Sequence, residues 1–87
     1  MEKAEIERLV RTPLVTKKDL RLIMKPLGVS SYRSTQIFDN MMKTYTDYAK
    51  ANHYVIFPNC IPNEIAYDFL KQFGVTKEKM MEDSYWD

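Results

Sequence analysis

At 87 residues the chain has material for one hydrophobic core and no second. Hydrophobic residues make up 45% and aromatics 13%, with two glycines and four prolines, which excludes intrinsic disorder, a linker and a low-complexity region. The net charge of +1 hides an imbalance: residues 1–50 hold ten Lys/Arg against six Asp/Glu (+4), and residues 51–87 hold three against six (−3).

Residues 2–11 read as an N-terminal helix, with Ile6, Leu9 and Val10 on one side, ended by Thr12-Pro13 because the residue before proline avoids the helical region. Residues 16–51 read as a helix-turn-helix. Thr16 caps the first helix, and Asp19 completes a capping box with aspartate in place of the usual glutamate. Leu20, Ile23 and Met24 form its apolar stripe and leave Lys17, Lys18, Arg21 and Lys25 to solvent. Pro26-Leu27-Gly28 makes the turn, and Ser30 or Ser31 opens a long helix that runs to Ala51. Phe38, Met41, Met42, Tyr45 and Ala49 recur on its apolar face, a packing stripe rather than a cofactor box.

Residues 53–61 predict a wing-like hairpin: the β-favouring run His53–Phe57, a turn at Pro58-Asn59, and a return strand at Cys60-Ile61. Residues 62–81 predict C-terminal helices. Pro62 suits a first turn, Ile65, Ala66, Phe69, Leu70 and Phe73 keep helical spacing, Gly74 supplies the stop with Val75 behind it, and Thr76 caps a last short helix. Residues 82–87 form an acidic tail with two aromatics, Tyr85 and Trp86. The expected fold is a mostly α, winged helix-turn-helix-like small domain with a minimal β-hairpin.

The residue inventory argues against catalysis. Cys60 and His53 are the only residues of their types, so no internal disulfide and no CxxC site exist, and a zinc site would need carboxylates at unsupported spacing. Cys60 lies between Asn59 and Ile61 in an apolar stretch, where a buried inert thiol is commoner than a nucleophile. No carboxylate pair or glycine-rich phosphate loop is present. The expectation is therefore a non-enzyme with no catalytic residues, metal, cofactor or small-molecule substrate. The charged opening Met1–Glu5 does not read as a signal peptide, and no apolar run reaches the ~18–20 residues of a membrane span, so a cytoplasmic location with no membrane partner is expected.

The long helix offers Arg33, Gln36, Asn40 and Lys43 as a polar stripe suited to DNA: Arg to guanine, Gln or Asn to adenine, Lys to phosphate. A plain solvated helix face would have the same pattern. Lys17, Lys18 and Arg21 on the preceding helix suit backbone phosphates, and Ser30, Ser31 and Ser34 could bring hydroxyls and free N–H groups to a phosphate. Tyr54, Ile56 and Phe57 are either strand residues packed on a core or a protein-binding edge. Tyr85 and Trp86 are either a frayed tail or an aromatic anchor for a partner.

Leu14-Val15-Thr16-Lys17-Lys18-Asp19-Leu20, Gly28 before the long helix, the aromatic run, and Ile61-Pro62 leading to a helix closed by Phe73-Gly74-Val75 span Leu14 to Val75. In this stretch the chain resembles an uncharacterised family of small excisionase-like proteins from integrative elements and phages of Gram-positive bacteria. The resemblance implies a winged helix-turn-helix and a role in mobile-element DNA transactions. The family pattern carries arginine in the wing-like segment, whereas Val55–Ile61 here holds no basic residue and offers poor phosphate contact. The leading expectation is a DNA-binding accessory protein that reads double-stranded DNA with the long helix. The alternative is a protein-interaction subunit docking onto a larger element-encoded replication enzyme (polymerase, primase or helicase) or recombination enzyme.

Overall fold

The computed structural model describes residues 1–87 and is mostly helical, with one small antiparallel sheet. In chain order the elements are α1 (Lys3–Arg11), β1 (Leu14–Thr16), α2 (Lys17–Met24), α3 (Ser31–Ala51), β2 (Cys60–Pro62), α4 (Asn63–Leu70), α5 (Lys77–Met80) and α6 (Asp83–Trp86). Single 3-10 turns at Lys25–Leu27 and Lys71–Phe73 extend α2 and α4. No helix is long and apolar enough to cross a membrane.

Local chemistry explains most helix ends. Thr16 Oγ1 accepts the Asp19 N–H at 3.2 Å and Asp19 Oδ2 accepts the Thr16 N–H at 3.2 Å, so the expected capping box forms. Asp19 is buried, and its other oxygen accepts Arg8 Nη2 at 3.0 Å, which ties α1 to the start of α2. Arg8 also grips Glu5 at 2.7 Å. That bond holds Glu5 below the usual carboxylate range and, with Asp19, raises the Arg8 guanidinium. Ser30 and Thr76 cap α3 and α5 through the N–H groups of Arg33 and Lys79. Gly74 stops the α4 turn at φ 75°: its N–H reaches Lys71 O, Val75 N–H reaches Leu70 O, and buried Val75 and Leu70 supply the accompanying apolar contact.

The strand pairing differs from a local hairpin. β2 pairs with β1, in the register Leu14↔Pro62, Val15↔Ile61 and Thr16↔Cys60. Residues 53–59 form no strand and are exposed throughout. His53 (φ 58°) and Asn59 (φ 57°) are left-handed at both ends of the run, which breaks the extended backbone a strand needs, and Pro58 has no N–H to offer a ladder. Ile61 instead buries its side chain opposite Val15, with both at the core. The first strand expected at His53–Phe57 is thus replaced by a loop, whereas the return strand expected at Cys60-Ile61 forms and pairs with the distant β1.

This pairing brings the start of α4 against the end of α1. Asn63 Nδ2 donates to Val10 O (3.0 Å) and Thr12 O (2.8 Å), its backbone N–H donates to Pro13 O (3.0 Å), and Tyr67 Oη donates to Leu9 O (2.8 Å). These bonds satisfy carbonyls that the C-terminus of a helix otherwise leaves without partners. Around this junction Leu9, Leu20, Ile23, Met24, Phe38 and Tyr45 form the centre of the core.

Tyr85 and Trp86 lie in α6, part-buried against the core. Tyr85 Oη donates to Ile23 O in the last turn of α2 at 2.6 Å, and Trp86 Nε1 donates to Met80 O at 2.7 Å. Their rings meet edge to face at 4.8 Å. The tail is folded onto its own chain, so neither aromatic projects freely towards a partner.

Two predictions follow the carbonyl-capping bonds. Asn63→Leu should lower unfolding stability by about 2 kcal/mol in urea titration, since two part-buried carbonyls lose their donor. Burial pushes the Tyr85 hydroxyl up to about 12 and raises that of Tyr67 as well. Both are neutral in the fold after the unfolded chain ionises at about 10, so their contribution is full below that pH and declines above it, that of Tyr85 being lost as pH rises through about 12 and that of Tyr67 at higher pH still. Thermal melts should show Tyr85→Phe less stable than wild type at pH 7 but with a shallower loss between pH 10 and 12.

Candidate nucleic-acid interface

α2 packs along the N-terminal half of α3, and the two are separated by the 3-10 turn, Gly28 (φ 77°), Val29 and the capping Ser30. The connection is longer than a three-residue turn, because Pro26 enters a helical turn and the left-handed stop falls at Gly28. At this corner Lys18, Arg21, Lys25, Ser30 and Ser31 line one concavity of about 410 Å³, with Leu22 and Val29 as its apolar floor. Three cations, two hydroxyls and the N-terminus of a 21-residue helix therefore converge on one space. The unpaired N–H groups and positive dipole end of α3 add to the attraction for an anion.

Sequence reasoning placed Lys18, Arg21 and Ser31 among the candidate DNA contacts, and the fold brings them together. Lys25 completes the set; its sequence position marks it only as a solvent-facing cation, and nothing local shows that the 3-10 turn aims it at the same space.

Further along α3, Arg33, Asn40 and Lys43 are exposed and Gln36 is half-buried. Gln36 Nε2 donates to Tyr32 Oη at 3.2 Å, while Arg33 Nη1 reaches Gln36 Oε1 at 3.5 Å. Tyr32, which is 75% exposed, thus belongs to the same polar ladder although it was not among the expected contacts. Arg33 and Asn40 also border a cleft with Phe69, Gln72 and Phe73 from the α4 side, so one edge of the stripe is walled.

Two residues depart from the expected DNA contacts. Ser34 is 1% exposed, on the inner face of α3 with Ile37, Phe38 and Met41, and its hydroxyl has no hydrogen-bond partner. Helical spacing explains this: position 34 lies three, four and seven residues before the buried Ile37, Phe38 and Met41, so it shares their inward face and cannot reach a phosphate. Lys17 is turned away from the concavity, with Nζ 3.4 Å from Asp39 and 5.8 Å from the Phe38 ring centre. Asp39 itself lies in the middle of the polar stripe and is neutralised in part by Lys17.

Residues 54–57 sit at the far end of α3. Tyr54, Val55, Ile56 and Phe57 are all exposed, Val55 to 71%. The loop is anchored by Tyr45 Oη, which donates to Val55 O at 2.8 Å, and by the Tyr54 N–H, which closes onto Ala49 O at 2.9 Å. No group of three or more His, Cys, Asp or Glu is arranged to hold a metal ion, and Cys60 is half-buried in β2.

No protein-family model matches the chain, and neither curated proteins nor solved structures give a match.

Ser34→Ala should stabilise the fold by about 1 kcal/mol, because it removes an unpartnered buried hydroxyl from a helix interior and adds a better helix former. Chemical denaturation measures the gain. A loss of stability would show that the hydroxyl has a partner in solution.

Proposed function

We propose that the chain is a non-enzymatic DNA-binding accessory protein of a mobile genetic element or phage, excisionase-like or regulatory in role, that lays the N-terminal half of α3 in the major groove of double-stranded DNA. The observation that carries the reading is the convergence of Lys18, Arg21, Lys25, Ser30 and Ser31 around the N-terminus of the longest helix. A backbone phosphate fits that combination of charge, hydroxyls and free N–H groups. With one phosphate seated there, the exposed face of α3 runs towards the base edges. Arg33 has the fork for a guanine, Gln36 and Asn40 have the amides for an adenine, and Lys43 suits a further phosphate.

The resemblance of Leu14–Val75 to excisionase-like proteins supports the mobile-element assignment, and the +4 charge of the first 50 residues supports an anionic partner. The loop at residues 54–57 has no cation, so affinity would come from α2 and α3 alone. Such a protein binds with modest affinity and depends on adjacent sites or partners for occupancy.

Fluorescence anisotropy of a labelled mixed-sequence duplex tests the reading. Binding should weaken with added salt at a log–log slope of roughly −3 to −5, for about four or five phosphates neutralised. The Lys18→Ala, Arg21→Ala, Lys25→Ala triple variant should bind at least about tenfold more weakly, with a slope reduced by about two or three. Arg33→Ala should cost about 1–3 kcal/mol on a selected site and less on random sequence. Flat salt dependence, or a triple variant that binds like wild type, would overturn the proposal.

A further inference from the structure

The C-terminal half of α3 and the outer face of α4 enclose a second, chemically different cleft of about 550 Å³. Its α3 side presents Tyr45 and Tyr48, its loop side Tyr54, and its α4 side Phe69 together with Glu64 and Asp68. Glu64 and Asp68 are four residues apart on α4 and so share a face. No lysine or arginine lines the cleft.

The aromatic wall is held in place by the backbone. Tyr54 follows the left-handed His53, its N–H closes onto Ala49 O, and this return sets its ring 5.7 Å from that of Tyr48 at 45°. The Tyr45 hydroxyl then pins the next residue through Val55 O. Tyr48 and Tyr54 remain 51% and 57% exposed, so their faces are open to a ligand. Asp68 holds Lys71 across the surface at 3.5 Å, with both side chains largely in water, and Glu64 has no such partner.

Ring faces are electron-rich and attract cations, and carboxylates do so by charge. The two carboxylates and the ring faces of the cleft therefore favour a positive group, and its apolar side chains favour an aliphatic stem behind that group. From Tyr54 the exposed apolar run continues through Val55, Ile56 and Phe57, which a free small ammonium would leave uncovered. We infer that this cleft captures the lysine or arginine side chain of a partner polypeptide, with apolar residues of the same segment lying on Val55–Phe57.

This surface is distinct from the DNA-facing corner. Tyr48 lies fifteen residues beyond Arg33 on α3, about 22 Å along the helix axis. A protein bound here leaves Lys18, Arg21 and Lys25 free, so the inference stands or falls separately from the DNA reading.

The test is a heteronuclear NMR titration of the full chain with the acetylated, amidated peptide Ala-Leu-Lys-Leu-Gly and its counterpart carrying norleucine for lysine. The lysine peptide should give saturable shifts at the amides of residues 44–48, 54 and 64–69. The norleucine peptide should bind at least about fivefold more weakly. The Glu64→Gln, Asp68→Asn double variant replaces exposed groups isosterically, and together with Tyr48→Leu it should abolish that preference while the Tyr85 and Trp86 resonances stay in place. Equal binding of the two peptides, no saturable shift at millimolar peptide, shifts confined to residues 17–33, or the same cleft shifts produced by raising protein concentration alone would each overturn the inference.

Discussion

The fold depends on one long-range closure, the pairing of Val15 with Ile61. Three residues on each side is too little β-structure to persist alone. It persists because both central side chains are buried and each strand runs directly into a helix: β1 into the Thr16 cap of α2, β2 through Pro62 into α4. Asn63 and Tyr67 then close the joint by satisfying carbonyls at the end of α1 and in the linker after it. Remove the register, and α4 loses its place against α1, Ile61 loses its cover, and the residue 53–59 loop loses its fixed far end.

The tyrosine hydroxyls follow a common logic. Tyr45, Tyr67 and Tyr85 each donate to a backbone carbonyl distant in sequence, at Val55, Leu9 and Ile23 respectively. Each places a large apolar ring at the core and uses its one polar group to satisfy a carbonyl where a helix ends or a loop begins. Small domains have little apolar area with which to fix their periphery. Here the aromatic side chains do so with a single directed bond apiece, and α6, the last element, is held in this way.

α3 is the element on which the two proposed surfaces meet. Its N-terminus carries the helix dipole, the capping serine and the cations contributed by α2 and the following turn. Its C-terminus carries tyrosines and faces the carboxylates of α4. A cluster of three cations and a pair of carboxylates are thereby set near opposite ends of one rod about 30 Å long. In the two proposals the cationic end takes nucleic acid and the carboxylate end a basic side chain, and the difference in charge keeps the two ligands apart.

Features written in short-range chemistry were legible in the sequence. The Thr16–Asp19 capping box, the Ser30 and Thr76 caps, the Gly74 stop and the apolar spacing of α3 all depend on residues within about one helical turn of each other. So was the exposure of Lys18, Arg21, Arg33, Asn40 and Lys43. Tertiary structure decided what depended on distant residues. The run at 54–57 has β propensity, yet strand formation needs a partner edge, and the edge nearest in sequence, β2, pairs with β1 from the other end of the chain. Ser34 looked available because serine is polar, but the azimuth of α3, set by packing against α2 and α4, turned it inward. Lys25, the walled edge of Asn40 and the docked Tyr85 and Trp86 likewise follow from which surfaces meet. Local hydrogen-bonding and periodicity determined where the helices lie; burial of Val15 against Ile61 determined how they assemble, because only the folded chain brings those residues together.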